Sequence, residues 1–244
     1  MAALEIRQGN YAEASRYLGR GLALSRQLGF HRQTAVCLLG EGHIAYEQGE
    51  YAKARPALQN ALALLQSTTP SLALFAQTKL GDVALAERAY EEAEHHYRLV
   101  LSACREQGFT WSEVMAGGCQ GVGPALNRLG DVALARGDLG QARARYREAL
   151  ELASQEPYLG LKLDALARQA VCLAQEHRAE CAVELAALVI DHPACANPTG
   201  KVVSKLLSEL QQSLPPDTFA AAVAQAQAAD INAALRACQM EQHT

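Results

Sequence analysis

The heptapeptide Leu80-Gly-Asp-Val-Ala-Leu-Ala86 recurs without change at Leu129-Gly-Asp-Val-Ala-Leu-Ala135. The residues that follow also match, because a tyrosine stands seventeen positions after each leading leucine, at Tyr97 and Tyr146. Self-similarity at a fixed spacing is the sequence signature of a repeat architecture. We therefore expect these two stretches to fold as copies of one structural unit.

The same frame occurs in three further places. Two copies lie upstream, at Gly49-Glu-Tyr51-Ala-Lys-Ala54 and Gly9-Asn-Tyr11-Ala-Glu-Ala14, and a degenerate fifth reads His177-Arg-Ala179-Glu-Cys-Ala182. In phase, the five copies cover roughly residues 1–190 and resemble the tetratricopeptide repeat, which pairs a helix A with a helix B. Each motif alone is weak, but five copies in phase carry the resemblance.

The resemblance assigns a role to each recurring position. The small residue where helix A meets helix B is Gly42, Gly81, Gly130 or Ala170. The turn between the two helices is Gly9, Gly49 or Gly137, and it departs from glycine at Arg88 and His177. The close-packed alanine of helix B is Ala14, Ala54, Ala93, Ala142 or Ala182.

The predicted fold is all-α, a right-handed α-α superhelix of about five helical hairpins with a C-terminal helical cap. We place the hairpins at about 1–30, 31–70, 71–108, 109–157 and 158–190, and the cap with a polar tail at 191–244. Periodic leucines such as Leu58, Leu62 and Leu65 give each helix one apolar stripe, which must be buried against neighbouring hairpins.

Composition agrees with this fold class. The 244 residues include 47 alanines and 35 leucines, both strong helix formers, whereas only 5% are aromatic. A charged content of 20% argues against disorder, and the sequence has no apolar run long enough to span a membrane. The net charge of -4 disfavours direct binding to nucleic acid. We therefore expect a cytoplasmic protein.

The spacing between copies is wider than the 34 residues of the family pattern. It is 40 residues from Tyr11 to Tyr51, 39 to Tyr90 and 49 to Leu139. The extra residues of the last step fall at 109–124, a segment that holds the only tryptophan, Trp111. We expect a loop or a shifted helix start there, either as the lip of a ligand groove or as a tolerated insertion.

The two ends of the sequence suggest a larger context. The first copy begins inside its helix A, which leads us to expect a fragment of a longer protein. Helices are predicted over 201–210 and 218–229, and a third from Ile231 to Cys238 with Asp230 as its N-cap. The repeats, His192-Pro-Ala and Leu214-Pro-Pro-Asp-Thr-Phe-Ala220 resemble the C-terminal region of LuxR- or AfsR-like bacterial regulators and related signalling ATPases. In that family a nucleotide-binding module and an effector domain precede the repeats.

No catalytic, cofactor or metal site is predicted. The seven cysteines lack a C-x-x-C pair and are expected to be reduced, and no Walker or Rossmann glycine motif is present. His95 and His96 form the only histidine cluster, but adjacent helical side chains point about 100° apart and do not readily share one ion. We expect the protein not to be an enzyme.

The resemblance places binding on helix A residues that line a concave groove. Carried over position by position, these are His43, Tyr46, Glu47, Phe75, Thr78, Lys79, Asp82, Asn127, Arg128, Asp131, Asp164 and Arg168. Asp82 and Asp131 depart from the Lys/Asn/Arg clamp with which family members hold acidic tails. The opposing interpretation is a merely hydrated groove, or one covered by the chain's own cap.

Three functional hypotheses follow. The first is a scaffold that binds a protein or peptide partner and serves as the sensor or interaction arm of a larger bacterial regulator, whose other domains could be that partner. The second is a receptor domain for a small molecule or signal peptide. The third is a structural module that forms homo-oligomers through its N-terminal face.

Overall fold

A computed structural model describes residues 2–106, 108, 112–114, 118–155, 159–195, 197–231 and 233–234. Within these residues the chain forms twelve helices and one two-stranded hairpin. The helices are α1 (Ala2–Gln8), α2 (Tyr11–Gln27), α3 (His31–Glu47), α4 (Tyr51–Leu65), α5 (Pro70–Ala86), α6 (Tyr90–Glu106), α7 (Val122–Ala135), α8 (Leu139–Gln155), α9 (Leu159–Gln175), α10 (Ala179–Ile190), α11 (Asn197–Ser213) and α12 (Pro216–Ala228). The predicted all-α class is confirmed. No helix in the described part of the chain is long and apolar enough to cross a membrane.

The chain divides into two compact units, Met1–Ala125 and Leu126–Thr244, which we call the N-terminal and C-terminal units. In the N-terminal unit each helix from α1 to α5 packs on the next one along the chain. In the C-terminal unit α8 packs on α9 and α9 on α10, while α10 contacts both α11 and α12. This nearest-neighbour packing is typical of repeat proteins.

The predicted helix contacts are confirmed at the small residues. All five helix B alanines, from Ala14 to Ala182, are completely buried. A Cβ placed on Gly42 would lie 2.7 Å from Leu58 Cγ, far inside contact distance, so only glycine permits this approach of α3 to α4. The composition rich in alanine and glycine is therefore a consequence of closely spaced helix pairs.

The turns without glycine keep the glycine conformation. Arg88 and His177 both have φ of 62°, in the left-handed region that Gly49 and Gly137 occupy at 76° and 82°. The backbone hydrogen bonds are kept as well, since Ala89 N donates to Ala84 O at 2.8 Å, as Glu50 N does to Ala45 O. The two departures in sequence are thus not departures in structure, although a side chain at positive φ is unfavourable.

The segment 109–124 differs from the expected loop. Residues Ser112–Val114 (β1) pair antiparallel with Gly118–Gln120 (β2), with Val114 opposite Gly118, and both strands contact α5. Three-residue strands are too short to show an alternating pattern, and glycine is disfavoured in strands, so no strand could be predicted there. Helix α7 then starts at Val122, so the shifted helix start is confirmed. Phe109 and Trp111 lie outside the described residues.

The C-terminal helices are longer than expected. The predicted helix over 201–210 lies inside α11, and that over 218–229 coincides closely with α12. Asp230 Oδ2 accepts a hydrogen bond from Ala233 N at 3.1 Å, as an N-cap does. Most of the predicted helix from Ile231 to Cys238 lies outside the described residues.

Candidate binding face

The twelve predicted groove residues, which we call the helix-A face, fall into two groups. The N-terminal cluster lies on α3 and α5 and comprises His43, Tyr46, Glu47, Phe75, Thr78, Lys79 and Asp82. The C-terminal cluster lies on α7 and α9 and comprises Asn127, Arg128, Asp131, Asp164 and Arg168. Each cluster belongs to a different unit and is described separately.

The N-terminal cluster is built around the ammonium group of Lys79. Its Nζ lies 5.1 Å from the ring centroid of Tyr46 and 5.7 Å from that of Phe75, and 3.0 Å from Asp82 Oδ2. Only 11% of the Lys79 side chain and 2% of the Asp82 side chain are exposed. A cation held by two aromatic faces and a buried carboxylate is fully compensated, so this part of the face carries no net charge.

The remaining members of the cluster surround this centre. His43 on α3 faces Phe75 on α5 with ring centroids 6.1 Å apart, while Thr78 donates its hydroxyl to Leu74 O at 2.9 Å. His43, Tyr46 and Glu47 are half-buried, whereas the α5 residues are buried. The α3 side chains are therefore the accessible part of the N-terminal cluster.

Asp82 has a second partner on the next helix. Tyr97, which is completely buried on α6, donates its hydroxyl to Asp82 Oδ1 at 2.8 Å. The tyrosine ring lies against Gly81, where a Cβ would be only 2.6 Å from Cε1. Asp82 thus joins helix A to helix B of its own repeat.

A further polar network, absent from the sequence prediction, links α4, α5 and α6. Arg55 forms ion pairs with Glu87 and Glu92, and Gln77 Nε2 lies 2.8 Å from His96 Nδ1. Burial lowers the pKa of His96, an effect that nearby Glu92 opposes without overcoming it. His96 is therefore held as the neutral imidazole in the folded chain.

The C-terminal cluster is centred on Arg168. Its Nη2 donates to Asp131 Oδ2 at 3.2 Å, and its Nε lies 2.9 Å from Asp131 Oδ1 without making a hydrogen bond, so α7 and α9 are joined by a close ion pair. Its Nη1 lies 3.3 Å from Asp164 Oδ1 on its own helix. Burial alone would lower the pKa of Arg168, but the two carboxylates raise it.

The carboxylate of Asp164 has several hydrogen-bond and ion-pair partners. It accepts a hydrogen bond from Asn127 Nδ2 at 2.7 Å and one from Thr199 Oγ1 at 3.0 Å. Burial would raise the pKa of Asp164, but Arg168, Arg128 and these two hydrogen bonds together lower it below its usual value. The carboxylate therefore remains ionised and connects α7, α9 and α11.

Asp131 repeats the arrangement of Asp82. Tyr146 on α8 donates its hydroxyl to Asp131 Oδ1 at 2.8 Å, and its ring lies so close to Gly130 that a Cβ there would be 2.3 Å from Cε1. Burial, and then the neighbouring Asp131 carboxylate, raise the pKa of Tyr146, so the phenol stays protonated as the donor. Arg128 Nη1 lies 3.6 Å from Asp131 Oδ2.

The charges of the C-terminal cluster therefore balance one another. Arg128 and Arg168 are matched by Asp131 and Asp164, with three of these four side chains between 20% and 30% exposed. Within the described residues, no group of three histidine, cysteine or acidic side chains is placed to hold a metal ion. Chemically, this arrangement can offer hydrogen bonds to a ligand without selecting a strongly charged one.

Two buried acceptors in this region are unused. Asn127 Oδ1 and Gln169 Oε1 have no hydrogen-bond donor among the described residues, although the two residues are only 1% and 6% exposed. An unsatisfied buried acceptor costs about 1–3 kcal/mol.

Sequence reasoning missed Tyr97, Tyr146 and Thr199 as partners of the face. A signal for the tyrosines was present, because the spacing of fifteen residues from Asp82 to Tyr97 recurs from Asp131 to Tyr146. No comparable signal marked Thr199, whose contact with Asp164 depends on the packing of α11.

Comparison with known proteins identifies the repeats. Two family models, both described as tetratricopeptide repeat, match residues 1–67 and 123–156. No curated protein matches the sequence.

Solved structures share the fold over most of the chain. BtubC (BKLC) from P. vanneervenii is 17% identical with a TM-score of 0.59, over 93% of this chain and 92% of that one. A candidate kinesin light chain from Podospora anserina, with nearly identical TPR-like repeats, and a single-substitution variant of it are both 14% identical. Their TM-scores are 0.55 and 0.56, over 86% of this chain and 93% of theirs. The chain thus carries tetratricopeptide repeats in residues 1–67 and 123–156 and has the fold of tetratricopeptide-repeat proteins.

Proposed function

We propose that this repeat scaffold binds an extended peptide segment of a partner protein on the C-terminal cluster of its helix-A face. Tetratricopeptide scaffolds generally mediate protein–protein interaction. The observation that carries the proposal is that carboxylate oxygens remain partly exposed on this face, since the side chains of Asp131 and Asp164 are 20% and 24% exposed. Backbone N–H groups of an extended peptide are donors of the kind that these oxygens need.

The charge balance limits the partner's chemistry. Lys79 is compensated by Asp82, and Arg168 by Asp131 and Asp164, so no excess cation awaits an acidic ligand. We infer a peptide of low net charge, recognised through hydrogen bonds to the partly exposed side chains of the C-terminal cluster. Affinity for such a peptide would depend only weakly on salt.

Peptide display on the purified chain tests this function. We expect a random peptide library to yield enriched sequences of low net charge, and Arg128→Ala to lower the affinity of a selected peptide about tenfold in calorimetry. Arg143→Ala is the matched control, because Arg143 on α8 is 46% exposed and pairs with Glu176. Failure to enrich any peptide, or equal affinities for both variants, would contradict the proposal.

We also propose that the scaffold is the sensor or interaction arm of a larger bacterial transcriptional or signalling regulator. The support is the resemblance of the repeats and of residues 192–220 to that family. The coding sequence around this chain tests the proposal. A nucleotide-binding module encoded upstream in the same reading frame would support it, and its absence would contradict it.

A receptor function is the second candidate, and a cavity in the C-terminal unit favours it. The cavity has a volume of about 300 Å³ and is lined mainly by apolar side chains of α9, α10 and α12, including Leu173, Leu185, Leu188 and Ala226. A ligand that binds only the folded chain raises its melting temperature. A small apolar compound that stabilises the wild type but not Leu188→Trp would support this function, and no stabilisation by any compound screened would oppose it.

A further inference from the structure

Exposed apolar side chains are concentrated where α2 turns into α3. Leu24, Leu28 and Phe30 are 57%, 52% and 51% exposed. Only two other large apolar side chains in the described part of the chain are exposed, Leu4 and Leu99. A single exposed leucine is ordinary, but a group of three within seven residues indicates an interaction surface.

These side chains line a concave pocket rather than a flat surface. The pocket lies between α2 and α3, has a volume of about 450 Å³ and is completed by Gly21, Val36 and Cys37. A volume of this size accommodates two or three aliphatic side chains of a partner. Arg32 also contributes to the lining, so one edge of the pocket is cationic.

The pocket is held in shape by buried contacts beneath it. Thr34 Oγ1 donates to Ser25 Oγ at 3.0 Å across the two helices, and Phe30 N donates to Ser25 O at 2.8 Å in the turn. Gly21 allows the close approach, because a Cβ there would lie 3.0 Å from Cys37 Sγ. A preformed pocket reduces the ordering cost of binding.

The charge around the pocket opposes that of the whole chain. Residues 13–41 contain four arginines, Arg16, Arg20, Arg26 and Arg32, against two acidic residues, although the chain has a net charge of -4. The acidic residues are Glu13 and Glu41, and Glu41 interacts electrostatically with Arg26 and with Cys37 of the pocket. Arg16 pairs with Glu13, whereas none of the described residues gives Arg20 or Arg32 a carboxylate partner. The pocket is therefore apolar at its centre and positive at the edge where Arg32 lies, within a segment that carries an excess of two positive charges.

We propose that this surface docks an acidic amphipathic helix of a partner protein. Leucine-like side chains at positions i, i+3 or i+4, and i+7 of that helix would enter the pocket, and flanking carboxylates would pair with Arg20 and Arg32. The surface is separate from the helix-A face, so either proposal can fail without the other.

The concave shape favours a helix over two other occupants. An anionic membrane would also attract arginines and exposed leucines, but lipid offers no protruding side-chain row to fill a pocket. A second copy of this chain would bring the same positive edge to the contact and repel it. Both occupants are outcomes of the experiment below.

The test uses the full chain and a designed probe. The probe is a fluorescent helical peptide of about 18 residues with leucines on one face and glutamates flanking them, compared with a peptide in which lysines replace the glutamates. Fluorescence anisotropy should show binding of the acidic peptide, at least tenfold weaker binding of the basic one, and weakening of the acidic complex at high salt.

Variants locate the binding. Leu24→Gln/Leu28→Gln should abolish it, and Arg20→Gln/Arg32→Gln should weaken it about tenfold and remove its salt dependence. Leu99→Gln, at an exposed leucine of α6, should change nothing. All of these substituted side chains are at the surface, and circular dichroism checks that the variants remain folded.

Three results would overturn the proposal. One is failure of the acidic peptide to bind, or equal binding of the basic peptide. Another is binding to phosphatidylserine-containing vesicles, lost in Leu24→Gln/Leu28→Gln, without binding of the acidic peptide. The third is a concentration-dependent dimer in analytical ultracentrifugation that the same double substitution abolishes.

Discussion

The hydroxyl of Tyr97 donates a hydrogen bond of 2.8 Å to Asp82, which lies fifteen residues earlier in the chain, and so joins the two helices of its repeat. Tyr146 and Asp131 do the same in the next copy of the heptapeptide, at the same distance. Both tyrosines are completely buried, so their hydroxyls have no solvent to bond instead. The strength of this bond can be measured directly.

Tyr97→Phe should lower the free energy of unfolding by about 1.5–3 kcal/mol, because a buried carboxylate loses a donor. Tyr17→Phe is the control: Tyr17 is a half-buried tyrosine of α2 and its ring contacts Arg16. Urea unfolding monitored by circular dichroism gives both values. Equal effects of the two substitutions would show that the hydroxyl bond of Tyr97 contributes little.

Gly81→Ala and Gly130→Ala should each destabilise the fold by about 1–3 kcal/mol, since the added methyl group would meet a tyrosine ring that has no room to move. Gly19→Ala provides a control of opposite sign. Gly19 also lies inside a helix but has no atom within 4 Å of the added Cβ, so alanine should stabilise by up to about 1 kcal/mol. Thermal melts of the three variants test the difference in sign.

Arg168→Met should cost about 3–5 kcal/mol, because Asp131 and Asp164 would be left without their shared cation. Arg168→Lys should recover only part of this loss, since a compact ammonium cannot lie close to Asp131 and Asp164 at once as the planar guanidinium does. Arg143→Met, at the exposed pair with Glu176, should change stability by less than about 1 kcal/mol. If denaturant titration finds Arg168→Met as mild as Arg143→Met, the Arg168 network is not stabilising.

Arg88→Gly and His177→Gly should each stabilise the chain by about 0.5–1 kcal/mol, because glycine removes the Cβ strain that both residues carry at positive φ. Glycine also increases the entropy of the unfolded chain, which opposes this gain. We expect the relief of strain to be larger, because both residues have φ of 62°, in the left-handed region. The reverse change, Gly49→Ala at φ of 76°, should destabilise to a similar extent. Differential scanning calorimetry would contradict the strain if both Gly substitutions lowered the melting temperature.

His96 should make stability fall as the solution is acidified from neutral pH. Its pKa is lowered by burial. Below about pH 6.5, His96 therefore binds a proton in the unfolded chain but not in the folded chain. The loss approaches a slope of about 1.4 kcal/mol per pH unit until the folded pKa is reached. His96→Gln should remove this component in urea titrations between about pH 7 and pH 5.5, whereas His31→Gln, at an exposed histidine of α3, should leave it. Identical pH profiles for both variants would show that His96 does not cause this loss of stability.

The recurrence of residue types was sufficient to predict the helix pairs. Glycine at 81 and 130 and alanine at 93 and 142 mark positions where only small side chains fit, and this requirement is visible in one sequence because it recurs. The left-handed turns at Arg88 and His177 were less visible, since the conformation is imposed by the two helices rather than by the residue type.

The sequence predicted which positions belong to the candidate face but not which side chains pair with one another. Sequence placed Lys79, Asp82, Asp131 and Arg168 on helix A, yet it could not show that these charges satisfy one another. Pairing depends on distances between helices whose residues lie up to 37 positions apart, as for Asp131 and Arg168. The strands at 112–114 and 118–120 were missed for a different reason, because their three residues carry no periodic pattern.

The fifteen-residue interval between Asp82 and Tyr97 has a consequence for how such a chain is assembled. A contact this local costs little loop entropy, so each helix pair can close soon after it is synthesised, without waiting for distant sequence. The heptapeptide and its tyrosine therefore form a unit that can be repeated along the chain together with its own internal contact. A whole helix pair could be duplicated or deleted in register while every remaining pair retained both partners of its own Asp–Tyr hydrogen bond.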